Sequence, residues 1–125
     1  MTNQASRASL VDAVVDNILS EGLDDWIQAS EVVSAIVGAG GPHLAKDVPS
    51  ICRAVVGKVL ALGLMQIGDV VEDGGFIPWE LEQDAALAKF DDEWNRLKGL
   101  PDLGEVCWLS NTKAGDARAN REGDT

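Results

Sequence analysis

Basic residues are scarce: 10 Lys and Arg stand against 21 Asp and Glu in 125 residues, a net charge of -11. A chain this acidic repels polyanions, which removes generic attraction to phosphate as a default mode of action. Long apolar runs are missing too. None approaches the ~20 residues that cross a bilayer, and the opening "MTNQASRASLVDAVVDN" sets no charged leader before an apolar block, so a cytoplasmic protein is expected. The only cysteines, Cys52 and Cys107, fall in different segments with no Cys or His at ligand spacing. Neither a zinc site nor a disulfide framework is therefore signalled, and both thiols are expected to be reduced, buried and structural. One histidine, His43, sits in the loop "GAGGPHLAK". No nucleophile signature surrounds it, so neither a catalytic triad nor a thiol–imidazole pair is indicated. The loop's "GAGG" follows a helical pattern and lacks a Lys-Ser/Thr pair, which makes it a linker and no phosphate cradle. No cofactor, metal or catalytic residue is expected, and the chain reads as a non-enzyme.

What is present is a single-domain length with 46% hydrophobic and 25% charged residues, an ordinary globular composition. Ser9 and Asp12 have capping-box spacing, and Leu10, Val11, Val14, Val15, Ile18 and Leu19 recur helically up to Gly22, predicting helix one over residues 9–21. A short extended piece at Trp26 and Ile27 leads to Ser30, which opens a second helix on Val32, Val33, Ile36 and Val37. Asp47 as N-cap and Pro49 in the first turn introduce the third helix on Val48, Ile51, Cys52, Val55, Val56, Val59 and Leu60, stopped by Gly63. Its other face carries Ser50, Arg53, Ala54, Gly57, Lys58 and Ala61. The small residues there permit close approach of a fourth helix of the same chain or of a second copy, and the sequence leaves both open.

Residues 63–80, "GLMQIGDVVEDGGFIPWE", read as two strands around an acidic, glycine-bearing reversal, with Pro78 ending the pairing. A fourth helix starts near Glu82 and lines Leu87, Phe90, Trp94 and Leu97 along one stripe. "GEVCWLS" reads as a last strand. From Asn111 onward no apolar periodicity remains, so residues 9–110 are expected to form the domain and 111–125 a flexible tail.

Three helices, a brief extended piece after the first, then a hairpin and another helix: over about residues 9–80 this order resembles a winged helix-turn-helix domain. The expected fold is therefore mainly α (α+β), with a winged-helix-like three-helix core, a β-hairpin wing, a fourth helix and a short last strand. The resemblance implies that the third helix enters the DNA major groove, through Lys46, Ser50, Arg53 and Lys58, and that the hairpin touches the backbone. Charge opposes that use. The hairpin adds Asp69, Glu72 and Asp73, which phosphates repel, and residues 64–125 hold 14 acids and 6 bases against 7 and 4 in residues 1–63.

The segments "GGFIPWELEQDAALAKFDDEW" and "LGEVCWLSNT" are similar to parts of small acidic bacterial proteins encoded beside polymorphic toxins, some of which act as immunity proteins. That resemblance covers about residues 74–112 and implies tight binding to a toxin domain with a basic surface. The candidate partner-binding set is Asp69, Glu72, Asp73, Trp79, Glu80, Asp91 and Asp92, where Trp79 reads either as a core-packing residue or as the aromatic anchor. The competing reading of these carboxylates is a solvated, solubility-promoting face. The alternative function is a DNA-binding transcriptional regulator acting through helix three. A homodimer remains compatible with either.

Overall fold

The computed structural model describes residues 3–40, 47–102 and 104–123. In chain order it contains α1 (Asn3–Glu21), β1 (Ile27–Gln28), α2 (Ala29–Gly40), α3 (Val48–Ala61), β2 (Met65–Val71), β3 (Gly75–Pro78), α4 (Gln83–Asn95), β4 (Trp108–Asn111) and α5 (Lys113–Gly123). The fold is α+β: five helices and one antiparallel sheet of four strands, ordered β1-β4-β2-β3.

The helices pack because each presents one apolar stripe. Val14, Val15, Ile18 and Leu19 of α1, Val32 and Ile36 of α2, and Val48, Ile51, Cys52, Val55, Val56 and Val59 of α3 join one cluster with Ile27, Ile67 and Leu109 from the sheet. Each fully buried side chain of this size contributes roughly 1.5–3 kcal/mol by leaving water. Among the described residues the fully buried set is hydrophobic, with no polar or charged residue in it.

Helix ends are fixed locally. Glu31, third residue of α2, reaches back so that its Oε1 accepts from the Gln28 N–H at 3.0 Å, half of a capping box. At the end of α3, the Gly63 N–H donates to the Leu60 carbonyl and the Leu64 N–H to the Val59 carbonyl. Gly63 sits at φ +68°, the left-handed stop that glycine takes at little cost. Two caps expected from sequence are not used. Asp47 makes no side-chain cap bond, and Ser9 and Asp12 lie inside α1, which begins six residues earlier than expected. Asp12 instead forms an ion pair with Lys58 of α3.

The expected tail is corrected as well, since residues 113–123 form α5. The Thr112 Oγ1 accepts from the Gly115 N–H at 3.1 Å and donates to the Gly63 carbonyl at 2.6 Å, capping α5 while tying it to the α3–β2 turn. Arg118 pairs with Asp16 of α1 at 3.0 Å. The helix shows little apolar periodicity because small residues do the packing. Gly115 and Ala119 are buried, and a Cβ at Gly115 would lie 2.1 Å from the Leu64 carbonyl oxygen.

The last strand does more than close the domain. β4 lies between β1 and β2, pairing Leu109 with both Ile27 and Ile67. It is approached through Val106, whose φ of +73° centres a three-residue turn closed by the Cys107 N–H on the Glu105 carbonyl at 2.9 Å. A β-branched residue is strained there. Neighbouring Cys107 is buried, and its carbonyl accepts from the Ala29 N–H, so the sheet and core hold the turn in place. β2 is the central ladder, paired with β4 over its first half and with β3 over its second. Gly68 is where the two ladders meet, facing Trp108 on one side and Pro78 on the other. A Cβ there would sit 2.2 Å from the Ile77 carbonyl oxygen. Pairing runs one residue past Pro78, since the Trp79 N–H donates to the Ile67 carbonyl at 3.1 Å. The hairpin is thus an extension of a four-stranded sheet.

Candidate partner-binding surface

Helix α3 supplies the groove-reading face of the DNA alternative, and α4 lies against it. A Cβ at Gly57 would be 3.7 Å from Leu87, and the Gln83 Nε2 donates to the Gly57 carbonyl at 3.4 Å. The Arg53 Nε lies 3.0 Å from both Asp91 carboxylate oxygens. Of the two occupants that sequence leaves open for the small-residue stripe, the chain's own fourth helix takes Gly57, whereas Ala54 and Ala61 remain exposed. Lys58 is engaged by Asp12. Ser50 is exposed on the first turn of α3, and Lys46, like His43, lies outside the described residues.

The hairpin carries Asp69 on β2, opposite Ile77 of β3, and Glu72 and Asp73 in the connecting turn; all three acids are exposed. Glu80, also exposed, follows β3 at φ +56°. Asp92 is exposed on α4. Asp91 has a partner inside the chain, Arg53. The remaining members of the set form no ion pair among the described residues.

Trp79 is placed differently from a projecting anchor. It is half-buried against the core, its Nε1 is buried without an acceptor, and the Lys89 ammonium sits 4.4 Å from its ring centre. A cation already occupies the face that a partner would use. The aromatic group at the surface is Trp26. It is 37% exposed and its ring stacks on Phe76 of β3, with centroids 6.4 Å apart and planes 30° from parallel. Gly75, at φ +71°, lies beneath it, since a Cβ there would come within 3.4 Å of the indole. The stack therefore joins the α1–β1 loop to the hairpin turn. Beside it, Val71 and Ile77 are 40% and 47% exposed. The sequence does hold a signal for this surface: "LDDW" and "EDGGF" each set two acids before an aromatic, but nothing in their spacing shows that the two meet.

The thiols are remote from chemistry. Both are buried and free. Burial pushes Cys52 up to about 12 from its ordinary 9.0 and raises Cys107 well above that ordinary value, with Cys52 and Asp69 adding repulsion for a second negative charge. Neither provides a reactive thiolate at neutral pH. Among the described residues there is no group of three metal-ligating side chains, and no helix is long and apolar enough to cross a membrane.

A cavity of about 500 Å³ between α1 and α2 has walls of Ala13, Val14, Ala35 and Ala39 with Glu21 and Glu31 at its sides. A second, about 390 Å³, opens beside Trp26 between the α1–β1 loop, β4 and the start of α5. Comparison with family models, with curated proteins and with solved structures finds no match.

Proposed function

We propose that the chain is a non-enzymatic protein-binding domain of winged-helix-like build, whose acidic hairpin surface docks on a basic protein, and that it acts as an immunity-type protein by covering the basic surface of a toxin domain. The observation that carries this reading is the contrast in charge use. Arg53 and Lys58, the two described cations that helix three would offer to DNA, are held by Asp91 and Asp12, whereas Asp69, Glu72, Asp73, Glu80 and Asp92 have no cationic partner among the described residues. Unspent exposed carboxylates steer a cationic partner and set its orientation, with the gain falling as salt rises. Occlusion is the mechanism: the domain supplies no reacting group and inhibits by occupying the partner's working surface.

Two measurements test it. A mobility-shift titration with mixed-sequence duplex DNA at two salt concentrations is expected to show no complex at either. Salt-sensitive binding would favour the regulator reading through α3. Co-expression with a toxin domain encoded next to this gene is expected to restore growth, and loss of that protection in a Glu72→Lys, Asp73→Lys double variant that still folds places the contact at the hairpin.

A further inference from the structure

Charge supplies long-range attraction to a basic partner, and a tight complex also needs a desolvated contact. We infer that the Trp26–Phe76 stack, with the cleft beside it, is a landing site for an arginine side chain presented by the partner protein. The inference rests on the protein-binding reading and gives it a specific chemistry.

Three independent features converge. Trp26 is a large aromatic left 37% exposed although its neighbour Ile27 is fully inside the core, and it lies against the Phe76 ring and the Gly75 backbone. A fixed, accessible indole is the strongest single side-chain surface for a planar cation and is enriched among residues that dominate interface energies. The adjoining cleft, about 390 Å³, lies within the size of small-group pockets, roughly 300–1,000 Å³. Its walls combine Trp26 and Leu23 with the carboxylates of Asp24, Asp25 and Asp116, none of which is ion-paired among the described residues.

Local bonds aim these groups. The Asp25 Oδ1 accepts from the Trp26 N–H at 2.8 Å, and the Asn111 Nδ2 bridges the Leu19 carbonyl at 2.9 Å and Asp116 at 3.0 Å. The loop is drawn against β4 so closely that a Cβ at Gly22 would strike Asn111 at 2.3 Å. Glu72 and Asp73, both exposed, lie in the turn that leads into Gly75 and Phe76.

The chemistry of the patch selects the occupant. Nucleic acid and anionic lipid are repelled by these carboxylates. A second copy brings the same acids and a net charge of -11, so self-association through this face is opposed. A guanidinium satisfies both halves at once, its plane on the indole and its N–H fork on the carboxylates; an ammonium can use the second half but stacks poorly.

The test is titration of the full chain with a short arginine-rich peptide and with its lysine-for-arginine counterpart, followed by calorimetry and by the tryptophan indole N–H resonances. The arginine peptide is expected to bind at least about fivefold more tightly than the lysine peptide, and to shift the Trp26 resonance while those of Trp79 and Trp94 stay in place. Trp26→Leu should abolish the preference, and Trp26→Phe should retain part of it. Equal affinity for the two peptides, or a Trp26 resonance that does not move, would overturn the inference. Failure of both peptides to bind at low salt would instead undermine the charge-driven reading on which it rests. The resonance measurement uses unaltered protein, so it stands even if a substitution impairs folding.

Discussion

The protein contains two aromatic pairs of nearly the same composition in opposite settings. Phe90 and Trp94 of α4 pack at 5.6 Å with rings tilted by 45°; Phe90 is 1% exposed and Trp94 leans on the same cluster. Trp26 and Phe76 stack at 6.4 Å, with Trp26 left 37% exposed. Both gain from ring–ring contact, worth roughly 0.5–1.5 kcal/mol beyond area. The difference lies in what surrounds them. The first pair joins the cluster that holds Ala86 and Leu87; the second has Asp24 and Asp25 beside Trp26 and the exposed turn residues Glu72 and Asp73 just before Phe76 in the chain, and part of Trp26 stays open to solvent. Position in the fold, more than residue type, sets whether such a pair is buried or left open to solvent.

The sharpest way to break this division is to truncate one ring from each pair. Phe90→Ala should cost about 3–5 kcal/mol, the transfer loss plus a cavity, and lower the denaturation midpoint severely. Trp26→Leu should shift the same midpoint by little while removing the arginine preference. Urea titrations of the two variants check this, and equal destabilisation would show that Trp26 is part of the core.

Much of the scaffold was legible because its signals are local. The periodicity of Val48 to Leu60 and the stop at Gly63 marked α3, and the alternation around Asp73-Gly74-Gly75 marked the hairpin. The stripe Leu87, Phe90 and Trp94 marked the inner face of α4. What escaped depends on contacts distant in sequence. α5 has no apolar stripe because Gly115 and Ala119 pack by being small, although Thr112 as a cap and Asp116 in the first turn were visible cues. The place of β4 between β1 and β2 is a pairing choice that no spacing encodes. The half-buried setting of Trp79 beside Lys89 and the stacking of Trp26 over Gly75 on the hairpin also depend on contacts between separate elements.

The core side of the comparison can be probed by pH. The Cys52 thiol is pushed by burial to about 12 from 9.0, and burial raises Cys107 in the same direction. Between these limits the unfolded chain releases thiol protons that the folded chain keeps, so stability is complete below pH 9 and falls as pH rises toward 12. The expected slope approaches about 1.4 kcal/mol per pH unit for each thiol. Denaturation midpoints of the native chain and of a Cys52→Ala, Cys107→Ala variant, taken from pH 8 to 11, check it; identical curves would mean that the thiols reach water in the folded state. A smaller effect is expected where packing is closest. Gly115→Ala forces a methyl into the Leu64 carbonyl and should cost about 1–3 kcal/mol, measured by thermal melting, without altering binding at the hairpin.

The smallest effect belongs to the pair that separates the two readings of α3. Arg53 and Asp91 are 50% and 41% exposed at the side chain, so solvent screens their attraction, and a double-mutant cycle with Arg53→Ala and Asp91→Ala should give a coupling of only about 0.2–1 kcal/mol. Its value lies in what the single variants do to binding. Asp91→Ala frees the Arg53 guanidinium on the face that a DNA reader would use. If the ion pair is merely a tie between α3 and α4, the variant should bind duplex DNA no better than the parent at low salt, because the hairpin acids still oppose phosphate. If Asp91 is instead a latch over a hidden reading head, the variant should gain salt-sensitive DNA binding that Arg53→Ala removes again. A mobility shift run on the four proteins of the cycle decides between them from the same samples that give the coupling energy.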